Sequence, residues 1–346
     1  MRDGNRASSV IVAGTDKLVL GASGFLGSHV TRQLVERGDN VRVMLRGSSS
    51  TRGIDDLPVQ RFYGDIFDDA ALKEAMDGCD VVYYCVVDTR AHLRDPAPLY
   101  RTNVEGLRHV LDAAVKADLR KFVFTSTIGT IGLGDGGVVD EDTPFNWGSK
   151  AGGYIGSRVA AEKLVLDYCR DKALPAVALC VSNTYGAGDW QPTPHGSLVA
   201  AAAAGKLPFY MDGMATEVVG ITDAARALLL AADHGRVGER YIISERYLSY
   251  RELYETAARA AGRPAPRWGI PTPVMKAVGV LGGVAAALTR RDLPLNPTTV
   301  RLMGIMAPMD HSKAVRELGW QPRDVHESIR EAVEFFDRRR RERQGR

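Results

Sequence analysis

From residue 17 onward, short apolar runs take turns with longer segments in which apolar positions recur every three or four residues. The runs predict strands at 17–20, 41–45, 60–63, 81–87, 121–125 and 175–181. The periodic segments predict helices at about 25–37, 69–76, 103–117 and 154–172. The run VVYYCVV at 81–87 has no charged position, the pattern of a strand covered on both faces. Strands alternating with helices in this way predict an α/β fold built on a doubly wound parallel sheet.

After Ser182 the pattern changes. Proline, glycine and methionine collect in DWQPTPHG at 189–196 and PFYMDGM at 208–214. A helix at 221–232 and a strand at 241–244 then lead back toward the sheet, and 250–335 reads as helices separated by proline-rich links. The expected organisation is a loose leader over 1–15, a sheet domain over 16–182 completed by 219–246, a smaller, mostly helical C-terminal lobe over 183–218 and 247–336, and a basic tail over 337–346.

Composition narrows the class of protein. The chain has 346 residues, 45% hydrophobic and 25% charged. These are ordinary globular values that exclude a disordered chain, a collagen-like repeat and a disulfide-dense scaffold. The formal net charge of +3 is local in origin, since residues 338–346 carry six arginines and one glutamate, which leaves the remainder at −2. That tail lacks aromatic residues for base stacking and reads as a solvated helix end, so no nucleic-acid partner is expected. The four cysteines, Cys79, Cys85, Cys169 and Cys180, form no CxxC pair and have no histidine at ligand spacing. Free thiols, no metal site and a cytoplasmic location follow as expectations. The longest apolar segment, 274–288, carries Lys276 and three glycines and is shorter than the ~20 residues of a spanning helix. No transmembrane segment is expected there, only a buried or surface-docked helix.

Chemistry enters at Gly21-Ala22-Ser23-Gly24-Phe25-Leu26-Gly27, between the first strand and the first helix. In that place Gly21 makes the tight turn, Gly24 lets backbone approach a pyrophosphate, and Gly27 lets the helix pack closely on the strand. The helix start adds amide donors and its dipole, so Ser23, Phe25 and Leu26 join the three glycines as expected cofactor-binding residues. An acid at the end of the second strand would accept from a free ribose 2′-hydroxyl, but here the strand ends Val43-Met44-Leu45-Arg46. Arg46, helped by Ser48 and Ser49, suits a 2′-phosphate, which favours NADP(H) while leaving NAD(H) open.

These pieces, with Gly64-Asp65-Ile66, Asn103-Val104-Glu105-Gly106, Phe124-Thr125-Ser126-Thr127, Tyr154-Ile155-Gly156-Ser157-Arg158, Tyr185-Gly186-Ala187-Gly188-Asp189 and SKAVRELGW at 312–320, run over nearly the whole chain. Together they resemble the extended short-chain dehydrogenase/reductase family within the NAD-dependent epimerase/dehydratase superfamily. The resemblance is nearest to its dihydroflavonol-reductase-like and 3β-hydroxysteroid-dehydrogenase-like members. It implies a Rossmann-type sheet, Asp65 and Ile66 at the adenine, Val86 and Val87 along the cofactor, Thr127 as the catalytic hydroxyl and Tyr154 as the catalytic tyrosine. It also implies a lysine four residues after the tyrosine, binding the nicotinamide ribose and lowering the phenol pKa, and it admits a homodimer.

Elementary chemistry gives the same logic, because a phenol near pKa 10 needs a neighbouring cation to work at neutral pH, and an i, i+4 neighbour lies on its face of the helix. Here that neighbour is Arg158, which keeps the charge and the donors but is planar and cannot share a proton. Lys163 lies off the tyrosine's face, and Gly152-Gly153 separates Lys150 from the helix. A second departure is Cys180-Val181, where the family pattern has Arg-Pro, implying an altered nicotinamide pocket wall.

The lobe supplies adaptable apolar side chains for a bulky ligand, and the candidate substrate residues are Asn183, Trp190, Met211 and Met214. His195 reads as a surface-loop histidine. The favoured function is an NADP(H)-dependent oxidoreductase that reduces a carbonyl or oxidises a secondary alcohol on a steroid-, polyphenol- or lipid-like substrate, with Tyr154 as acid/base. Two alternatives stay open. One is a nucleotide-sugar epimerase or dehydratase with bound NAD, weakened because Lys206 is the sole cation in 189–218. The other is a protein that binds NADP(H) without turnover, motivated by Arg158.

Overall fold

The computed structural model describes residues 16–344; the expected leader at 1–15 lies outside them. In chain order the strands are β1 (Asp16–Leu20), β2 (Val41–Leu45), β3 (Gln60–Tyr63), β4 (Cys79–Tyr84), β5 (Lys121–Thr127), β6 (Ala176–Val181), β7 (Asn183–Tyr185), β8 (Phe209–Asp212), β9 (Ala215–Gly220), β10 (Arg240–Ile243), β11 (Arg246–Ser249) and β12 (Trp268–Pro271). The helices are α1 (Phe25–Glu36), α2 (Asp69–Met76), α3 (Ala97–Tyr100), α4 (Leu107–Lys116), α5 (Gly152–Lys172), α6 (Pro194–Ala203), α7 (Ile221–His234), α8 (Tyr250–Ala260), α9 (Thr272–Thr289), α10 (Pro297–Gly304), α11 (Ser312–Leu318) and α12 (Val325–Gln344).

Seven strands form one parallel sheet in the order β10-β6-β5-β4-β1-β2-β3. Alternate residues of each strand face opposite ways, so the sheet feeds two cores. On one face Val19, Val43, Tyr83, Val123 and Leu179 meet Val30 and Leu34 of α1, Leu228 of α7 and Trp320. On the other Leu18, Val82, Tyr84, Phe122 and Phe124 meet Leu72 of α2, Leu111 of α4 and Val165 of α5. Both faces of β4 and β6 are covered, which is why their sequences carry no alternation. The strand order reverses between β1 and β4. That switch opens a crevice at their carboxyl ends, where open parallel sheets receive ligands.

Two boundaries differ from the pattern. β4 ends at Tyr84, and the apolar Cys85, Val86 and Val87 leave the sheet. The backbone of Cys85 and Val86 passes under the glycine turn, where a Cβ on Gly21 would lie 2.8 Å from the Cys85 carbonyl carbon, and their side chains pack on the two sheet cores. The segment predicted as one helix from 103 begins instead as a π-helical turn over Arg101–Gly106. Such turns widen the helix and redirect a side chain, here the fully buried Asn103.

The remaining strands make a three-stranded β11-β9-β7 sheet and a β12-β8 pair. A core of Tyr185, Val199, Met211, Met214, Tyr254 and Ile329 joins them to α6, α8 and α12. Helix α12 runs on through the arginine run. Arg339 is not simply solvated, because its guanidinium lies 5.2 Å from the centroid of the Trp190 ring and donates to the Trp190 carbonyl at 3.1 Å.

Candidate active site

The glycine loop occupies the carboxyl end of β1. Gly21 has φ +86°, a backbone region that suits glycine, and a Cβ on Gly27 would lie 2.2 Å from the Gly21 carbonyl oxygen. These two glycines are required by the turn and by the approach of α1. Gly24, the residue before α1, differs. A Cβ there would have one neighbour, the Gly21 oxygen at 3.3 Å, so its outer side is open to a ligand. The first amides of α1 are at the same place, and the loop therefore fits a diphosphate held by backbone donors and the helix dipole.

At the end of β2, Arg46 is exposed, and its backbone N–H donates to Ser49 Oγ at 3.1 Å while Ser49 N–H donates to the Arg46 carbonyl. The turn leaves the guanidinium without a salt bridge among the described residues. Asp65 accepts from the Phe67 amide, Ile66 is buried against Gly106, and Val86 is half-buried while Val87 is exposed.

Helix α5 brings the acid/base candidates to the edge of β5. Tyr154 and Arg158 are one turn apart near its start. Arg158 is 1% exposed, and its Nη2 donates to the Thr125 carbonyl at 2.5 Å, two residues before Thr127. Its guanidinium lies 5.2 Å from the Phe124 ring centroid. Nε and Nη1 of Arg158 are buried and have no hydrogen-bond partner. Thr127 ends β5 and caps the following turn, its Oγ1 accepting from the Gly129 amide at 3.2 Å. Gly129 lies against Ile155, the neighbour of Tyr154; a Cβ on it would meet Ile155 Cδ1 at 2.5 Å. The structure thus gathers Thr127, Tyr154 and Arg158 at one corner. Burial pushes the Tyr154 phenol above its ordinary value, Arg158 pulls it back down, and Asp88 pushes it up.

Asn103 is a residue of this corner whose role the sequence did not reveal. It accepts from the Asp88 amide at 2.8 Å and donates to the Asp88 carbonyl and, at 3.0 Å, to Ser157 Oγ. Three bonds lock the loop after β4 to α5. The NVEG motif was the available signal, and the π turn gives it a physical meaning.

Other expectations fall elsewhere. Cys180 is buried in β6 with its thiol 3.4 Å from Glu162, so it belongs to a core network rather than to a pocket wall. Lys163 is exposed and pairs with Asp167, and Lys150 stays outside α5. Asn183 donates to Thr216 Oγ1 at 2.6 Å, Met211 and Met214 are buried in the lobe core, and Trp190 packs on Phe335 and Arg339. None of these four contacts the Tyr154 corner among the described interactions. His195 is not a loop histidine: it lies in the first turn of α6, its Nδ1 is buried without a partner, and burial holds its pKa down to about 4. No cluster able to hold a metal ion occurs among the described residues.

A cavity of about 280 Å³ lies beside Gly153, the chain neighbour of Tyr154; its wall mixes Ala91, Leu93, Pro96, Ala286 and Pro297 with the polar His92, Arg94, Asn296 and Thr298 and includes none of Thr127, Tyr154 and Arg158. A larger concavity, about 490 Å³, lies between Arg52, Trp190 and Arg339 and includes no residue of the Tyr154 corner.

Comparison with known proteins accords with this geometry. Residues 17–244 match the NAD dependent epimerase/dehydratase family. The chain is 29% identical over 331 residues to sterol demethylase protein B of Methylococcus capsulatus, covering 93% of this chain and 98% of that protein. It is also 29% identical to a 4-hydroxy-2-methyl-3-oxo-4-farnesyl-3,4-dihydroquinoline-1-oxide ketoreductase of Stigmatella aurantiaca, covering 91% and 94% of the two chains. The crystal structure of gox2253 superposes with a TM-score of 0.83 at 30% identity, covering 94% of this chain and 99% of that one. The chain therefore belongs to the NAD dependent epimerase/dehydratase family and is an enzyme of the extended short-chain dehydrogenase/reductase type.

Proposed function

We propose that the protein is an NADP(H)-dependent oxidoreductase that interconverts a ketone and a secondary alcohol on a bulky apolar substrate. The observation that carries the reading is Arg158. A buried guanidinium with two unpartnered donors, one turn from a tyrosine, is costly to keep unless a ligand and a phenolate complete it.

The glycine loop would hold the cofactor diphosphate, Arg46 the 2′-phosphate, and the free donors of Arg158 the ribose beside the nicotinamide. When bound, the nicotinamide supplies or takes up the hydride. In the reducing direction Tyr154 donates its proton to the substrate oxygen, and Arg158 stabilises the phenolate left behind. Arginine does not release a proton at these pH values, so the phenolate is reprotonated from water. Thr127 accepts from Gly129, which leaves its hydroxyl hydrogen to donate to the same substrate oxygen. The rigid Asn103 lock keeps the loop after β4 and α5 in register while this happens.

The bulky apolar substrate class is supported by the sterol and farnesyl groups in the names of the two relatives, and the cavity beside Gly153, where alanine, leucine, proline and glycine stand among His92, Arg94, Asn296 and Thr298, offers room next to Tyr154. The test is NADPH oxidation against a panel of hydrophobic ketones and steroids. Wild type is expected to turn over at least one of them and Tyr154→Phe to lose about 10²–10⁴-fold in rate with NADPH binding unchanged. Equal inertness of both proteins, with NADPH bound tightly, would overturn the reading.

A further inference from the structure

Helix α9 has its polarity reversed for a helix in water. Its inner face, Met275, Gly279 and Ala286, is buried. The glycines let it press against the next segment of chain: a Cβ on Gly279 would lie 2.9 Å from Val300, and one on Gly282 would lie 2.0 Å from the Leu295 carbonyl oxygen. The outer face should be polar. It carries Val274, Val280, Leu281, Val284 and Leu288, with Leu281 68% and Leu288 80% exposed. Lys276 is the sole charge on the helix. Trp268, just upstream in β12, is 71% exposed. A contiguous apolar face of this size marks a binding surface.

Charge identifies what binds. Residues 261–291 contain Arg263, Arg267, Lys276, Arg290 and Arg291 and not one aspartate or glutamate. The next acid, Asp292, already accepts the Arg94 amide at 3.1 Å. An isologous contact with a second copy would set these cations against themselves, with the acids Asp212, beside Pro271, and Asp292 confined to the two ends of the helix. A helix of 18 residues spans roughly 27 Å, just short of a bilayer core, and crossing one would strip its inner face from α10 and β12. An apolar stripe flanked by cations, with an exposed tryptophan, instead matches the boundary between acyl chains and anionic headgroups.

We propose that α9, Trp268 and the flanking arginines dock the protein flat on an anionic lipid surface, with Leu281 and Leu288 in the acyl boundary and Arg267, Arg290 and Arg291 among the phosphates. The docked helix also walls the cavity beside Gly153 through Gly283 and Ala286, so docking brings that cavity next to the lipid. The surface is independent of the reaction proposed above.

The test is co-sedimentation of the full chain with vesicles of two parts phosphatidylcholine to one part phosphatidylglycerol, and with pure phosphatidylcholine. Wild type is expected to sediment with the anionic vesicles, and less so as salt rises. Leu281→Glu with Leu288→Glu should lower partition by at least about 100-fold, and Arg290→Gln with Arg291→Gln by roughly 30-fold. Melting temperatures check that the variants fold, and if the glutamate pair does not, the arginine pair and Trp268→Ser decide. Failure of wild type to sediment would overturn the proposal, as would undiminished binding by folded variants. A dimer in light scattering that Leu281→Glu dissociates, without vesicle binding, would assign the face to a second copy and equally overturn it.

Discussion

Two successive turns of α5 treat buried charge in opposite ways. Glu162, 4% exposed, is saturated: Oε2 accepts from Ser126 Oγ at 2.5 Å, Thr130 Oγ1 at 2.9 Å and the Cys180 thiol at 3.4 Å, and Oε1 accepts from Arg240 at 2.9 Å. Arg158, one turn earlier on the same face and more deeply buried, spends one nitrogen on the Thr125 carbonyl and leaves two without partners. On the proposed function, the donors that Arg158 keeps free, and for which Glu162 has no counterpart, are the ones a ligand and a phenolate would complete.

The largest expected effect falls on the saturated turn. Glu162→Ala takes the carboxylate partner from Arg240 and the acceptor from Ser126, leaving Arg240 with the Glu141 carbonyl and Thr130 with the Thr127 carbonyl, and should cost about 3–5 kcal/mol in a denaturant titration. Arg158→Met, which removes one hydrogen bond and retains apolar contact with Phe124, should cost under about 2 kcal/mol. Equal losses would erase the contrast between the two turns.

Arg46 sharpens the contrast from the exposed side, since an unpaired arginine in water costs little and its vacancy alone says nothing. Its role must be read by binding. Arg46→Ala is expected to weaken NADPH about 10–100-fold and NADH by less than about threefold in a fluorescence titration. A parallel loss for both would remove it from the 2′-phosphate.

The smallest effect concerns His195, a half-buried ring whose Nδ1 is buried without a partner. Its folded-state pKa lies near 4, below the ordinary 6.5, so the unfolded chain takes up the proton first as pH falls. Stability should be level above about pH 6.5 and decline between there and about 4. His195→Gln should flatten that decline by about 1 kcal/mol at pH near 6. An unchanged slope would show that the ring is solvated.

The sheet was legible because its strands are short apolar runs between helices, and a buried parallel strand has no other way to be written. The same code misread the end of β4: Cys85 and Val86 are apolar because they still pack on the two sheet cores after the strand has ended, while Val87 is exposed, and packing from a loop leaves the same mark as packing in a sheet. Tyr154, Arg158 and the glycine loop were legible because their spacing is local. The Glu162 network was not, since Arg240 is 78 residues away and Ser126 is 36 away, and ordinary serines and arginines announce no partner. His195 looked like a loop residue in TPHG, but Thr193 caps a helix there, with Pro194 at its first position, and the helix turns the ring inward. Helix α9 was recognised as apolar, but which side faced the protein depended on glycines whose contacts come from residues 295–300.

The central claim is that Arg158 acts on the reaction through the Tyr154 phenolate. A double-mutant cycle tests it, measured as the single-turnover rate of hydride transfer from saturating NADPH to an accepted ketone. The account predicts that Tyr154→Phe and Arg158→Met each slow transfer and that the double variant is no slower than Tyr154→Phe alone. Losses that multiply in the double variant would contradict it.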